Sequence, residues 1–235
     1  MKNQSTQQFT SAQVNKSVHL KLVFLILFVC LIISACKKDK PSGSIANSKE
    51  SVMINGISYP VITIGNQKWT TKNYNGAGGI DDQAVNNPNY GKIYTQSEAI
   101  IASQSLTDGW RLPTVQDYKT LLLHEGGSEI QSPFFALIGG ESARKFRSTT
   151  GWVNVQGTNL NGFNAYPIGK SYSADADHFS TFWTATLSGS EGSYFKLQEP
   201  YKQSKEPYGE NVEGGTIYFA PLSLKCYVRF VKDIK

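Results

Sequence analysis

The sequence is poor in the residues that usually carry catalytic or metal chemistry. Its 235 residues include only 3 Cys and 3 His. So few cysteines exclude a disulfide-dense scaffold. No apolar run reaches the roughly 20 residues that a membrane-spanning helix needs, because the run Leu22–Ile33 stops after 12. Acidic residues are absent from residues 1–35 altogether, although that segment contains three lysines.

The N-terminal segment has the pattern of a bacterial export signal. A secretory signal has an apolar region of about 7–15 residues between a basic segment and small residues. Here Leu22–Ile33 follows Lys16 and Lys21 and precedes Ser34-Ala35-Cys36. The tetrapeptide Ile33-Ser-Ala-Cys36 resembles the lipobox, where signal peptidase II cuts before a lipidated cysteine. The alternative is an ordinary signal peptide, or a short uncleaved anchor, with a chance cysteine.

This resemblance implies a signal peptide at 1–35 and a lipid-modified Cys36. Mature bacterial lipoproteins carry three acyl chains, palmitate among them, and two or more chains hold a protein stably on a membrane. The implied location is the bacterial outer membrane, on its periplasmic or surface face. Membrane lipid is then the first partner, reached through the acyl anchor.

The export signal also accounts for much of the positive charge. The precursor has 23 basic and 18 acidic residues, a net charge of +5. Without Lys2, Lys16 and Lys21, 20 basic and 18 acidic residues remain, a net charge of +2. This weak net charge, the lack of a basic stripe and the implied extracytoplasmic location argue against nucleic acid as a partner.

The rest of the chain predicts a tether and one domain. Residues 36–50 are polar, contain Pro, Gly and Ser, and show no periodicity, as expected of a flexible tether. No second linker and no repeat of fixed period follows. We therefore expect a single globular domain at 51–235.

Within that domain the patterns predict two helices early and several strands late. Tyr59–Trp69 alternates and turns at Gly65-Asn66, which indicates a hairpin. Helices are expected within Tyr94–Ser103 and after the N-cap Thr114, with Asp117 completing a capping box. Residues 75–92 predict a long irregular loop. Strand composition marks four later segments, namely 181–186, 193–197, 216–219 and 224–231. This order favours an α+β fold over an alternating α/β fold.

Short motifs in a fixed order resemble the Fibrobacter succinogenes major paralogous domain. The blocks are Ile64–Trp69, Gly91–Tyr94 with Gly109–Thr114, Lys145–Trp152 with Gly157–Pro167, and Phe182–Thr186 with Lys225–Asp233. Members are typically exported, and many are lipoproteins. The resemblance implies a fold and an exported location, and it does not specify an activity.

The block Trp110-Arg-Leu-Pro-Thr114 also resembles one in formylglycine-generating enzymes and C-type-lectin-like domains. That resemblance implies two helices packed beside a twisted antiparallel sheet, with long loops forming the binding face. Trp110 and Leu112 would anchor the chain under the helix, and Arg111 would pair with a buried carboxylate or carbonyl. Formylglycine-generating oxidases need two reactive cysteines. Only Cys226 would remain in this domain, on an apolar strand face, which predicts an inert core thiol.

One polar segment is a candidate ligand site. Asp175, Asp177 and His178 stand together, and Tyr172 precedes them. Their spacing matches neither a calcium-binding EF-hand nor a zinc-binding His-Glu-x-x-His motif. We expect no metal and no cofactor there, and a plain solvated loop is the alternative.

Three classes of function stay open. The leading hypothesis is a non-catalytic, lectin-like domain that binds an extracytoplasmic polysaccharide or protein. The second is a structural or assembly component of the envelope. The third and least favoured is an enzyme of unrecognised type.

Overall fold

Three α-helices, one short 3-10 helix and eleven short strands make up the regular structure of the described residues. The computed structural model describes residues 50–82, 90–129, 136–138, 140–169, 176–200 and 213–234. All of them belong to one compact unit, Ile45–Lys235. The predicted signal peptide and lipidation site Cys36 lie outside the described residues, as does the tether except for Glu50.

The elements follow one another as antiparallel strands with helices between them. The helices are α1 Gln96–Gln104, α2 Val115–His124 and α3 Glu141–Arg144. The strands are β1 Ser51–Ile54, β2 Ile57–Ile64, β3 Gln67–Thr70, β4 Ile80–Asp81, β5 Lys92–Ile93, β6 Ser128–Glu129, β7 Ala136–Ile138, β8 Phe179–Ser188, β9 Glu191–Gln198, β10 Gly214–Pro221 and β11 Val231–Asp233. The α+β class is thus confirmed.

Two larger sheets contain nine of these strands, and β4 pairs with β5 in a third. A four-stranded sheet has the order β1-β2-β3-β11, and a five-stranded sheet has the order β6-β7-β10-β9-β8. The predicted hairpin is confirmed, since β2 and β3 pair antiparallel around Gly65-Asn66. The predicted irregular loop at 75–92 is partly wrong, because β4 and β5 pair within it.

Both longer helices begin with a capping box. Thr95 caps α1 with Glu98, and Thr114 caps α2 with Asp117. In each box the threonine hydroxyl accepts a hydrogen bond from the backbone N–H of the third helical residue. The carboxylate of that residue accepts a hydrogen bond from the backbone N–H of the threonine in return. The predicted start of α2 is therefore confirmed. Arg111 also donates to Asp117, at 2.8 Å between Nη2 and Oδ1.

The Asp117 carboxylate is stabilised in its charged form. Burial alone would raise its pKa, but hydrogen bonds from Arg111 and Thr114 outweigh burial and lower the pKa below its ordinary value. The sequence-based pairing of Arg111 with a buried carboxylate is thereby confirmed. This ion pair ties the start of α2 to the chain that precedes it.

The core consists of two apolar clusters. The larger one joins α2 to the five-stranded sheet and includes Tyr118, Leu121, Phe182, Phe195 and Ile217. The smaller one joins α1 to the hairpin of β1 and β2 and includes Tyr59, Ala99, Trp110, Leu112 and Trp183. Trp110 and Leu112 therefore pack in the cluster of α1, whereas the buried face of α2 packs in the other one.

The predicted strand at 224–231 is wrong, because only Val231 lies in a strand. Cys226 bridges Tyr94 on one side, and Tyr227 bridges Phe182 on the other. These isolated bridges run to different partners, so no continuous ladder forms. Residues 226–230 are all buried, so the face opposite Cys226 is internal as well. Cys226 is fully buried, and burial raises the pKa of its thiol, as expected for an inert core thiol.

Arg229 in this segment is a fully buried cation. Its guanidinium donates to Asn73 Oδ1 at 2.6 Å, Thr70 O at 2.8 Å, Phe163 O at 3.1 Å and Asn164 O at 3.2 Å. The Phe163 ring centroid lies 5.0 Å from the guanidinium carbon. Burial lowers the pKa of Arg229 to about 9, so the group remains charged at neutral pH.

We predict that Arg229→Met strongly destabilises the protein. Methionine fills much of the volume but leaves four buried oxygens without donors, and each unsatisfied buried group costs about 1–3 kcal/mol. The free energy of unfolding in urea should fall by at least about 3 kcal/mol. Lys225→Met, in the same segment, is the control, because Lys225 is only half-buried and should cost less. Equal losses in the two variants would contradict the central role of Arg229.

Candidate functional site

The predicted ligand site is only partly described. Asp177 and His178 lie in a short 3-10 helix, Ala176–His178, directly before β8. Tyr172 and Asp175 lie outside the described residues. The prediction that these four residues bind a ligand is therefore untested and stays a prediction.

His178 contacts a buried carboxylate that sequence reasoning missed. Its Nδ1 lies 2.7 Å from Oε1 of Glu199, which is fully buried at the end of β9. The same carboxylate accepts the amides of Val153, Asn154 and Val155 at 2.7–3.2 Å. Since an ionised carboxylate only accepts hydrogen bonds, Nδ1 carries the proton in that state.

Arg147 completes this charged cluster. Its guanidinium lies 3.9 Å from Glu199 and pairs with Glu213, while Nη1 donates to Val155 O at 2.9 Å. The Trp152 ring stacks 5.0 Å from the guanidinium carbon. Burial lowers the Arg147 pKa, and the two glutamates oppose that effect. The cluster thus fixes the loop 152–155 against β9.

The chemistry of this cluster is internal. The Glu199 carboxylate accepts hydrogen bonds from three amides of one loop and contacts His178, so the geometry supports a positioning role for His178 rather than an open ligand site. Within the described ranges, no group of three or more His, Cys, Asp or Glu is arranged to hold a metal ion. Nor does any helix among these residues have the length and apolarity to cross a membrane.

We predict that Glu199→Ala lowers the free energy of unfolding by about 3–5 kcal/mol, because it leaves three amides without their acceptor and removes one of the two carboxylates beside buried Arg147. Hydrogen exchange at the amides of residues 153–155 should accelerate in parallel. Glu191→Ala is the control, because Glu191 is exposed and should leave both measurements unchanged. A stable Glu199→Ala variant with protected amides would refute this role.

A groove of about 610 Å³ is the stronger candidate for a ligand site. It runs along β1, which with its flanking residues forms one wall, Glu50–Asn55. The loop Ser105–Asp108 forms the opposite wall. Trp110 and Lys232 complete the lining.

The groove combines an apolar base with charged and hydroxyl groups. Leu106 and Val52 are half-buried against the smaller core cluster, and Trp110 is 9% exposed. Ser105, Thr107 and Asp108 are exposed above them. Glu50 is paired with Lys68. A few oriented polar groups over an apolar base are typical of ligand sites.

Local backbone geometry shapes both walls. β1 and β2 are joined by Asn55 and Gly56, whose φ angles of 49° and 78° match the two-residue turn that such hairpins favour. Asp108 and Gly109 also have positive φ, 56° and 80°. Asn55-Gly56 is a common sequence signal for such a hairpin, but the predictions above did not include it. Nothing in the sequence, however, indicated that β1 would face a loop some 50 residues away.

Comparison with known proteins identifies the family. The sequence model of the family called the Fibrobacter succinogenes major domain matches residues 62–232. The chain belongs to this family. No curated protein and no solved structure matches the chain.

The motifs of the Fibrobacter succinogenes major domain lie mainly in the core of this chain. Trp69, Trp183 and Arg229 are fully buried. A Cβ atom at Gly157 would lie 2.0 Å from the Arg147 carbonyl oxygen, so glycine permits this close approach. The motifs therefore explain how the domain folds, whereas the groove is formed largely by residues outside them.

Proposed function

We propose that this chain is a lipid-anchored bacterial envelope protein whose domain binds an extracytoplasmic polysaccharide or protein without catalysing a reaction. We also propose that its fold is C-type-lectin-like. The resemblance of the Trp110–Thr114 block to such domains, and the helices beside antiparallel sheets, support that assignment. The observation that carries the binding function is the groove along β1.

The groove has the chemistry of a recognition site. Hydroxyl groups, two carboxylates and an ammonium group surround its half-buried apolar base, so polar groups would orient a ligand while apolar contacts hold it. Among the described residues, Cys226 is buried in the apolar core and His178 contacts the buried carboxylate of Glu199. Binding is thus better supported than acid–base or nucleophilic chemistry.

Anchoring limits where this groove could act. Glu50 lies at the groove and is separated from Cys36 by 13 residues. An extended chain of that length spans at most about 45–50 Å. A ligand would therefore be held within about 50 Å of the anchor, as suits a component of the envelope or of its adjoining polysaccharide.

We predict that Cys36→Ala abolishes acylation and membrane attachment, because the thiol is the acceptor of the lipid in the lipobox reaction. Radiolabelled palmitate incorporation and fractionation of cells would measure both. Cys226→Ala is the control and should leave both unchanged, since Cys226 is buried. Undiminished labelling of the Cys36→Ala chain would exclude the proposed anchor.

We also predict that a ligand contacts the groove in cells. A photo-reactive diazirine residue at Thr107 should crosslink to a polysaccharide or to a discrete envelope protein. The same residue at Leu160 is the control, because Leu160 is 63% exposed and does not line the groove. Equal crosslinking from the two positions, or none from Thr107, would exclude a groove ligand.

The alternative is a structural component of the envelope that packs against partner subunits. One observation favours it, namely the outer edge of β1, which ends the four-stranded sheet and has no second strand partner among the described residues. In that case the Thr107 crosslink would yield one stoichiometric partner protein and no polysaccharide.

A further inference from the structure

The register of the first hairpin defines which backbone groups of β1 face outward. β1 pairs with β2 through Ser51↔Pro60, Val52↔Tyr59, Met53↔Ser58 and Ile54↔Ile57. The Val61 amide donates to Glu50 O at 3.0 Å. In an antiparallel pair, hydrogen-bonded and non-hydrogen-bonded residues alternate. Glu50, Val52 and Ile54 therefore turn their backbone groups toward β2.

Ser51 and Met53 consequently direct their N–H and C=O groups away from β2. Pro60 opposite Ser51 is consistent with this alternation. Proline has no N–H to donate, and the residue opposite Ser51 needs none. In the described part of the chain, β1 has no second strand partner. An open edge of this kind is a template for another strand.

The groove adds side-chain selectivity to this edge. Successive residues of a strand added to β1 would point to opposite faces of the extended sheet. On one face they would meet Val52, Leu106 and Trp110 in the groove. On the other they would meet Met53, which is 64% exposed.

The charges of the groove favour a basic residue in the added strand. Its lining contains Glu50, Asp108 and Lys232. Glu50 is already paired with Lys68, whereas the exposed Asp108 has no ion pair within the ranges that the structure describes. A Lys or Arg of an incoming segment would complement Asp108. A second copy of β1 would not, because Glu50–Asn55 contains no basic residue.

We propose that the ligand of this groove is an extended segment of a partner protein that adds as a strand to the outer edge of β1 and places a Lys or Arg beside Asp108. This inference rests on the proposed binding function and specifies the class of ligand. Affinity would come from backbone hydrogen bonds to Ser51 and Met53, and selectivity from the groove.

The test is a selection of random dodecapeptides displayed on phage against the full chain in detergent. Met53→Pro removes the outward N–H and leaves the bonds of β1 to β2 in place, since proline is tolerated where the N–H faces away from the sheet. Met53→Thr keeps the N–H and is the matched control. Selected peptides should bind Met53→Thr within about twofold of wild type and Met53→Pro at least about tenfold more weakly.

Two further comparisons keep the test decisive if Met53→Pro does not fold. N-methylation of the peptide residues that pair with Ser51 and Met53 should weaken binding to the wild-type chain by a similar factor. Asp108→Asn should weaken binding of peptides with Lys or Arg and leave neutral peptides unaffected. These results would support strand addition.

Three results would overturn the inference. They are no enrichment of peptides, binding that N-methylation and Met53→Pro leave unchanged, and a dimer seen by light scattering that Met53→Pro abolishes. The last result would assign the edge to a second copy of the chain. A polysaccharide crosslink at Thr107 would in any of these cases preserve the proposed binding function while excluding a peptide ligand.

Discussion

The buried guanidinium of Arg229 is the interaction on which the rest of the fold depends. It joins the final segment to β3 through Thr70 O, to the following turn through Asn73, and to the loop at 163–164 through two carbonyls. Neutral oxygens and aromatic faces, rather than a carboxylate, hold this charge. Because each of them is weak alone, the site is stable only when all of these segments are in place.

This constraint explains why the final segment is not a regular strand. Residues 226–230 run between the two core clusters, with Tyr227 in the larger one and Cys226, Val228 and Phe230 in the smaller one. Their backbone bonds alternate between Tyr94, Tyr74 and Thr70 on one side and Thr181 and Trp183 on the other. Successive residues of the segment therefore form backbone hydrogen bonds to different parts of the chain, and the segment joins the two sheets into one fold.

Local signals predicted much of the fold, and long-range contacts account for the errors. The capping box at Thr114 and the turn at Gly65-Asn66 act within a few residues, so their patterns sufficed. At Arg229 no sequence signal indicated a buried cation, because nothing local shows that a second layer covers this residue. Glu199 was missed for the same reason, since the loop that surrounds its carboxylate lies more than 40 residues earlier. The groove was not predicted either, because β1, the loop at 105–108 and Lys232 are far apart in the sequence and meet only in the folded chain.

The use of aromatic residues in the core also limits where recognition can occur. Trp69 and Trp183 are fully buried, and Trp110 and Trp152 are nearly so, which leaves little tryptophan surface for stacking on a ligand. The charged cluster around Glu199 is likewise saturated by its own loop. The outward backbone groups of β1 and the exposed carboxylate of Asp108 have no partner among the described residues and lie where a ligand could reach them. A ligand that supplies hydrogen-bonding backbone and a positive charge complements both features, and a neutral sugar complements neither as fully.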